Sequence, residues 1–243
     1  MQTDFTTGVT IRKVGYAQGW SWIVQAFYLV RQQPLTWILL AGSYLLIHFA
    51  VSAIPRLGPP LTFFLAPLFG GGFVLAAQQA EQGRELKMAD LFGGFRRAFQ
   101  PLLKVGMLYL LLLLLAILLL SSLMPLLGIQ LTAGVAGQSL PQWEGPLLPF
   151  MLLSAGLMFL LSLCYWFAPA LVVLNGVGPL QALLGSFRAG MANWSAVLLC
   201  ALMLSLLLFL ALLPLGLGLL LWFPVLYVSA YIGWKDLFVP PAD

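Results

Sequence analysis

The sequence predicts an all-α polytopic membrane protein. Six transmembrane helices form three pseudo-repeated hairpins, each preceded by an interfacial amphipathic helix. Three observations predict this. First, 62% of the 243 residues are hydrophobic and 7% are charged, where a soluble domain has about 45–50% and about 25%. Eleven basic and seven acidic side chains cannot cover a soluble surface of this size, and so apolar a chain is not disordered. Second, the apolar stretches approach the roughly 20 residues that cross a bilayer. Third, one local pattern recurs three times. A β-barrel is excluded, because barrels alternate in ~10-residue strands and residues 110–120 are leucines broken only by Ala116 and Ile117.

Residues 1–19 are polar, and no small-residue cleavage site follows a short apolar core. The first span is therefore expected to act as an uncleaved signal anchor. Spans are expected at 34–54, 61–80, 101–123, 147–174 and 193–213, with a sixth ending near 231. Pro55, Arg56, Gly58, Pro59 and Pro60 mark the first turn. The stretch 81–90 is charged. An insertion at 128–146 is rich in Gly, Gln and Pro and carries one charge, Glu144. Asn175, Gly176, Gly178 and Pro179 end the fourth span, and Pro214, Gly216 and Gly218 the fifth. One membrane domain, 20–231, thus lies between an N-terminal segment and a tail at 232–243. Its repeat units are 20–80, 88–175 and 179–231.

Basic residues orient such a chain. Arg12, Lys13, Arg31, Arg84, Lys87, Arg96, Arg97, Lys104, Arg188 and Lys235 fall on one side of the six spans, and only Arg56 on the other. Both termini are therefore expected on the cytoplasmic side of a multi-pass membrane protein, with 128–146 outside. The net charge of +4 serves topology, and nucleic acid is not an expected partner.

Three segments precede the odd spans. In the first, Gln18, Ser21, Gln25, Tyr28 and Gln32 oppose Trp20, Ile23, Phe27 and Val30 at helical spacing. In the second, Leu91, Phe92, Phe95 and Phe99 oppose Asp90, Gly93 and Arg97. In the third, Leu180, Leu183, Leu184, Phe187 and Met191 oppose Gln181, Gly185 and Arg188. Each is expected to lie along the cytoplasmic face with its apolar side in the acyl boundary. Each ends in an amide: Gln33-Pro34, Gln100-Pro101 and Asn193-Trp194. The amide satisfies backbone donors where helix turns into span, and Pro suits a first turn. The even spans share an aromatic before a mid-span proline at Pro67, Pro169 and Pro224. Two-span units start and end on one side, so an axis along the membrane normal can relate them, with kinks at similar depth.

Chemistry is sparse. No Asp or Glu falls within an expected span; Lys104 and Arg56 sit near span ends and can snorkel, which leaves His48 as the ionisable group deep in a span. It can serve as a proton site, a metal ligand or a packing residue; with no acidic partner, packing fits best. One His and two separated cysteines, Cys164 and Cys200, do not make a metal site. The cysteines are expected to be reduced packing residues. No catalytic residues and no cofactor are expected. Gly70, Gly71 and Gly72 lack a phosphate-loop context and allow close packing or a break. Following Pro67, they make span two the candidate binding or gating element. The basic residues Arg84, Lys87, Arg96, Arg97 and Lys104 are candidates for anionic lipid headgroups, a role compatible with topology.

Several segments resemble a family of bacterial inner-membrane proteins of unassigned function, best represented in betaproteobacteria. They are Gly19-Trp20-Ser21-Trp22, Gln33-Pro34-Leu35-Thr36-Trp37, Ile54-Pro55, Leu57-Gly58-Pro59, Leu65-Ala66-Pro67 and 91–97 (LFGGFRR). The chain is also distantly similar to the membrane domain attached to some glycerophosphodiester phosphodiesterases, which is not their catalytic part. The resemblance implies a six-span inner-membrane protein and supplies no site residues. The expected role is non-enzymatic: binding of lipids, or of a membrane protein partner or a second copy. The alternative is a small transporter or channel for uncharged or lipid-like cargo, with a pathway on the pseudo-threefold axis.

Overall fold

The computed structural model describes residues 2–4, 9–132 and 142–239. The helices are α1 (Gln18–Val30), α2 (Pro34–Ser52), α3 (Gly58–Glu81), α4 (Gly93–Leu126), α5 (Leu147–Tyr165), α6 (Ala168–Asn175), α7 (Pro179–Ala192), α8 (Trp194–Leu212) and α9 (Leu219–Leu237). A 3-10 turn, Met88–Phe92, leads into α4. Proline occupies the first turn of α2, α3, α6 and α7, where its missing N–H costs nothing. Gly176 follows α6 at φ 67°, a left-handed stop that glycine adopts readily.

Five helical stretches are long and apolar enough to cross a bilayer: Pro34–Ser52, Gly58–Glu81, Met88–Leu126, Leu147–Asn175 and Trp194–Leu212. In α9, Trp222, Pro224, Tyr227, Tyr231 and Trp234 dilute the apolar character, and Lys235 and Asp236 lie in its last turn. The helix α3 is the axis of the bundle. It touches α2, α4, α6, α9 and the 3-10 turn. Of its most apolar stretch 61% is buried, against 6% in the stretches containing α4 and α5, which therefore form an exposed rim.

The expectation that α3 is the breakable helix is not met: it runs unbroken through Pro67, Gly70, Gly71 and Gly72. Packing explains why. A Cβ on Gly72 would overlap the Leu91 carbonyl, and one on Gly94 the Leu68 carbonyl, so the α3 and α4 backbones touch. A Cβ on Gly71 would stand 2.9 Å from Leu102 and 3.0 Å from Val173. Pro67 leaves the Phe63 carbonyl without its helical donor. Gly106 of α4 lies against that oxygen, which a Cβ would approach to 3.0 Å. The break comes instead between α5 and α6, at Trp166-Phe167 before Pro169. Ser186 of α7 repairs it: its Oγ accepts the Phe167 N–H at 3.0 Å and donates to the Leu163 carbonyl at 2.6 Å. Pro224 lies inside continuous α9. A second irregularity, Ala98 at φ −150° and ψ 46°, divides α4. Pro101 cannot donate to the Arg97 carbonyl and its ring crowds it.

The helices before the spans pack differently from expectation. Helix α1 buries Gly19, Trp22, Ile23, Ala26, Leu29 and Val30 against α8 and α9. Trp20 and Phe27 point outward. Helix α7 buries Ala182, Leu183, Gly185, Ser186, Ala189 and Gly190, mainly against α5 and α6. Leu180, Leu184 and Met191 are exposed. Small residues allow backbone-close docking, so much of the apolar stripe is left facing out.

Strands β1 (Gln2–Asp4), β2 (Val9–Ile11) and β5 (Phe238–Val239) form an antiparallel sheet in that order. Thr10 pairs with Val239 and Ile11 with Phe238, and the Arg12 N–H donates to the Leu237 carbonyl at 2.8 Å. The segments flanking the helical domain thus lie together. The insertion at 128–146 contains a hairpin of β3 (Gln130–Thr132) and β4 (Gln142–Glu144); residues 133–141 lie outside the described residues.

Gly94→Leu should lower the unfolding midpoint of the detergent-solubilised protein, because overpacking costs about 1–3 kcal/mol or more. Gly156→Leu, where a side chain meets open space, should leave the midpoint unchanged.

Candidate functional site

Polar side chains gather at the end of the bundle that holds the β1-β2-β5 sheet. Asp236, in the last turn of α9, accepts from Gln18 Nε2 at 2.6 Å and Trp22 Nε1 at 3.0 Å, and pairs with Arg12. Glu81, the last residue of α3, accepts from Lys235 Nζ at 2.7 Å and from the Tyr231 hydroxyl at 2.8 Å. Trp234 Nε1 donates to Asn175 Oδ1 at 2.9 Å. Sequence reasoning passed over Glu81 and Asp236 because it ended the spans at Ala80 and near Tyr231. Each helix continues past that point.

Two of the three recurring amides share one geometry. Gln33 Nε2 donates to the Arg84 carbonyl at 2.8 Å, and Gln33 Oε1 accepts from the Leu86 N–H at 2.9 Å. Asn193 Nδ2 donates to the Arg12 carbonyl at 3.1 Å, and Asn193 Oδ1 accepts from the Val14 N–H at 2.8 Å. In both cases an amide bridges the C=O of one residue and the N–H of the residue two further on. Neither side chain caps the helix that follows it. The expected role, satisfying donors where helix turns into span, is corrected: the amide holds a separate extended segment. Gln100 is exposed and makes no such bridge among the described residues.

Arg84, Lys87, Arg96, Arg97 and Lys104 all have exposed side chains. Arg84 and Lys87 sit on the loop after α3. Arg96 donates to the Ala89 carbonyl at 2.8 Å, tying the start of α4 to the 3-10 turn. Lys104 lies further along α4 and, with Met107, Leu108, Pro179 and Leu180, lines a groove of about 330 Å³ between α4 and α7. A groove of about 490 Å³ between α4 and α5 is walled by leucines, Phe159 and Gly156.

Pro67, Pro169 and Pro224 are all buried, and none of them lines either groove. Between α2, α3 and α9 the interior is filled by aromatic rings. Tyr44 contacts Phe69, Phe73, Phe223 and Tyr227 at centroid distances of 5.1–6.4 Å, and Phe73 stacks on Tyr227 at 4.7 Å. His48 packs 5.8 Å from the Tyr44 ring and borders a space of about 10 Å³, room for a single water. Among the described residues no three His, Cys, Asp or Glu side chains converge as metal ligands. Cys164 and Cys200 are free thiols.

Helices of this length and apolarity, around a glycine-packed axis and with polar bonds collected at one end, define an integral helical membrane protein. The chain is similar to a protein of Burkholderia thailandensis named "probable inner membrane protein". The two are 30% identical over 179 residues, 70% of this chain and 66% of that protein. It thus spans just under two thirds of that relative's length. The likeness and the apolar helices together support a proteobacterial inner-membrane protein. No family model matches the chain, and no solved structure matches it.

Replacing Asn193 by Leu strands the Val14 N–H and the Arg12 carbonyl, a cost of about 1–3 kcal/mol per buried group. Asn193→Leu and Gln33→Leu should both lower the unfolding midpoint and open the neighbouring segment to protease. Gln100→Leu should do neither.

Proposed function

We propose that the protein is a non-enzymatic six-span inner-membrane protein that binds anionic lipid headgroups on the cytoplasmic side. One observation carries this reading: the acids Glu81, Asp90 and Asp236 accept hydrogen bonds within the protein, while Arg84, Lys87, Arg96, Arg97 and Lys104 stay exposed. Glu81 is held by Lys235 and Tyr231, Asp236 by Arg12, Gln18 and Trp22, and Asp90 accepts the Lys87 N–H at 2.7 Å. Glu85 is exposed, as is Glu81. Arg84, Lys87, Arg96, Arg97 and Lys104 therefore present a net positive face. Each cation near an anionic leaflet contributes about 1 kcal/mol. The exposed Trp20, Phe27, Leu180, Leu184 and Met191 flank that end and suit the acyl boundary.

Topology belongs to the same reading. The pairing of β2 with β5 brings the segments flanking the bundle to one end, which requires an even number of crossings. Five apolar stretches are odd in number, so α9 supplies the sixth. The identical bridges of Gln33 and Asn193 support a repeat of α1–α3, the stretch from the 3-10 turn to α6, and α7–α9. The positive-inside bias then sets both termini in the cytoplasm. The distant likeness to the membrane domain of glycerophosphodiester phosphodiesterases fits a protein that works beside phospholipid.

Reporter fusions test the topology: a cytoplasmic reporter should be active after residue 243 and at the loop following α3, and inactive at Arg56 or Leu215. Lipid analysis after gentle extraction tests binding. Joint Arg84→Gln, Lys87→Gln, Arg96→Gln and Arg97→Gln substitution should cut the ratio of anionic to zwitterionic lipid retained several-fold. An unchanged ratio refutes the headgroup reading.

A further inference from the structure

The two amide bridges close two of three seams at the polar end. Gln33 grips residues 84–86, which lead into the second repeat unit. Asn193 grips residues 12–14, which lead into the first. By the same rule Gln100 belongs on the segment leading into the third, just before Pro179. It makes no such bridge among the described residues. At that seam lies the groove of about 330 Å³ lined by Lys104, Met107, Leu108, Pro179 and Leu180.

We infer that this open seam is a specific site for one anionic glycerophospholipid. Resting on the headgroup reading above, the inference assigns it a single located ligand. Gln100, Lys104, Met107 and Leu108 follow one another at helical steps of four, three and one, so they share a face of α4 past the irregularity at Ala98. Lys104 lines the groove with its apolar stem and is exposed, so its ammonium, with three N–H donors and a positive charge, is available at the groove's edge. Gln100, one turn nearer the polar end, offers an amide to the phosphate or the glycerol ester. Below them, Met107, Leu108, Leu180 and Pro179 form an apolar wall that takes the first part of an acyl chain. Among the described residues Lys104 is the only charged group of the lining, which selects an anionic head over a zwitterionic one. The groove between α4 and α5 has no charged residue in its described lining and discriminates nothing about a headgroup.

The test uses the full chain in vesicles of phosphatidylcholine with one fifth phosphatidylglycerol, doped with either lipid carrying a photoreactive group high on one acyl chain. After irradiation, labelled peptides are mapped by mass spectrometry. The phosphatidylglycerol probe should concentrate on the peptides holding Met107 and Leu180, and the phosphatidylcholine probe should not. Lys104→Gln should reduce that excess about fivefold, the effect of one ammonium at an anionic surface. Leu180→Trp, which fills the groove from an exposed position, should abolish it with the fold intact. Arg97→Gln should lower total anionic labelling without moving its position. Labelling spread evenly over α4 and α5, or unaffected by Lys104→Gln, overturns the site while leaving the wider basic face standing. If the anionic probe is favoured nowhere on the protein, the headgroup reading falls with it.

Discussion

Direct contact between helix backbones is the constraint on which the remaining structure depends. Gly72 against the Leu91 carbonyl, Gly94 against the Leu68 carbonyl, and Gly19 against the Ala196 carbonyl are places where no side chain fits. In hydrocarbon, burying more leucine offers no gain over lipid, so helices associate through close packing of small residues and through hydrogen bonds. The large apolar residues are thereby released to the outside. That is why α4 and α5 are sheathed in exposed leucine while α3, rich in glycine and alanine, is the buried axis.

Polar bonds follow from the same medium. A backbone N–H or C=O without a partner is expensive where water is scarce. Three breaks in regular structure are repaired by a named group: Ser186 at the gap between α5 and α6, Gln33 at 84–86, Asn193 at 12–14. The charged residues of the bundle's polar end are used the same way. Asp236 and Glu81 serve as acceptors that gather donors from distant parts of the chain, and their engagement leaves the basic surface uncancelled.

Much of the architecture was legible in the sequence because it is encoded by composition along the chain: apolar lengths, the turns at Pro55–Pro60 and Asn175–Pro179, and the charged loop at 81–90. The recurring amides were legible as a pattern and misread as caps. Their role depends on which segment lies opposite, and periodicity holds no information on that. Pro67, Gly70–Gly72, Pro169 and Pro224 all read as candidate breaks in the sequence, because proline and glycine weaken a helix in isolation; the break falls before Pro169 and not at Pro67 and Gly70–Gly72. Gly106, Leu102 and Val173 pack against that stretch, and only the fold brings them there. The basic candidates were readable from charge alone. The groove beside Lys104 was not, since Pro179 and Leu180 come from another helix, α7.

The junction of β2 with β5 also sets the order in which the protein can be finished. Arg12 and Asp236 are separated by 224 residues. At about 5–20 residues per second of synthesis, Arg12 waits on the order of ten seconds or more for its partner. Until α9 is made, Gln18, Trp22 and the outer edge of β2 have nothing to bond, and α1 has no α9 to rest on. The last turn of α9 is therefore the latch of the assembly, and a chain that stalls before it leaves an open strand edge and an α1 held mainly by α8.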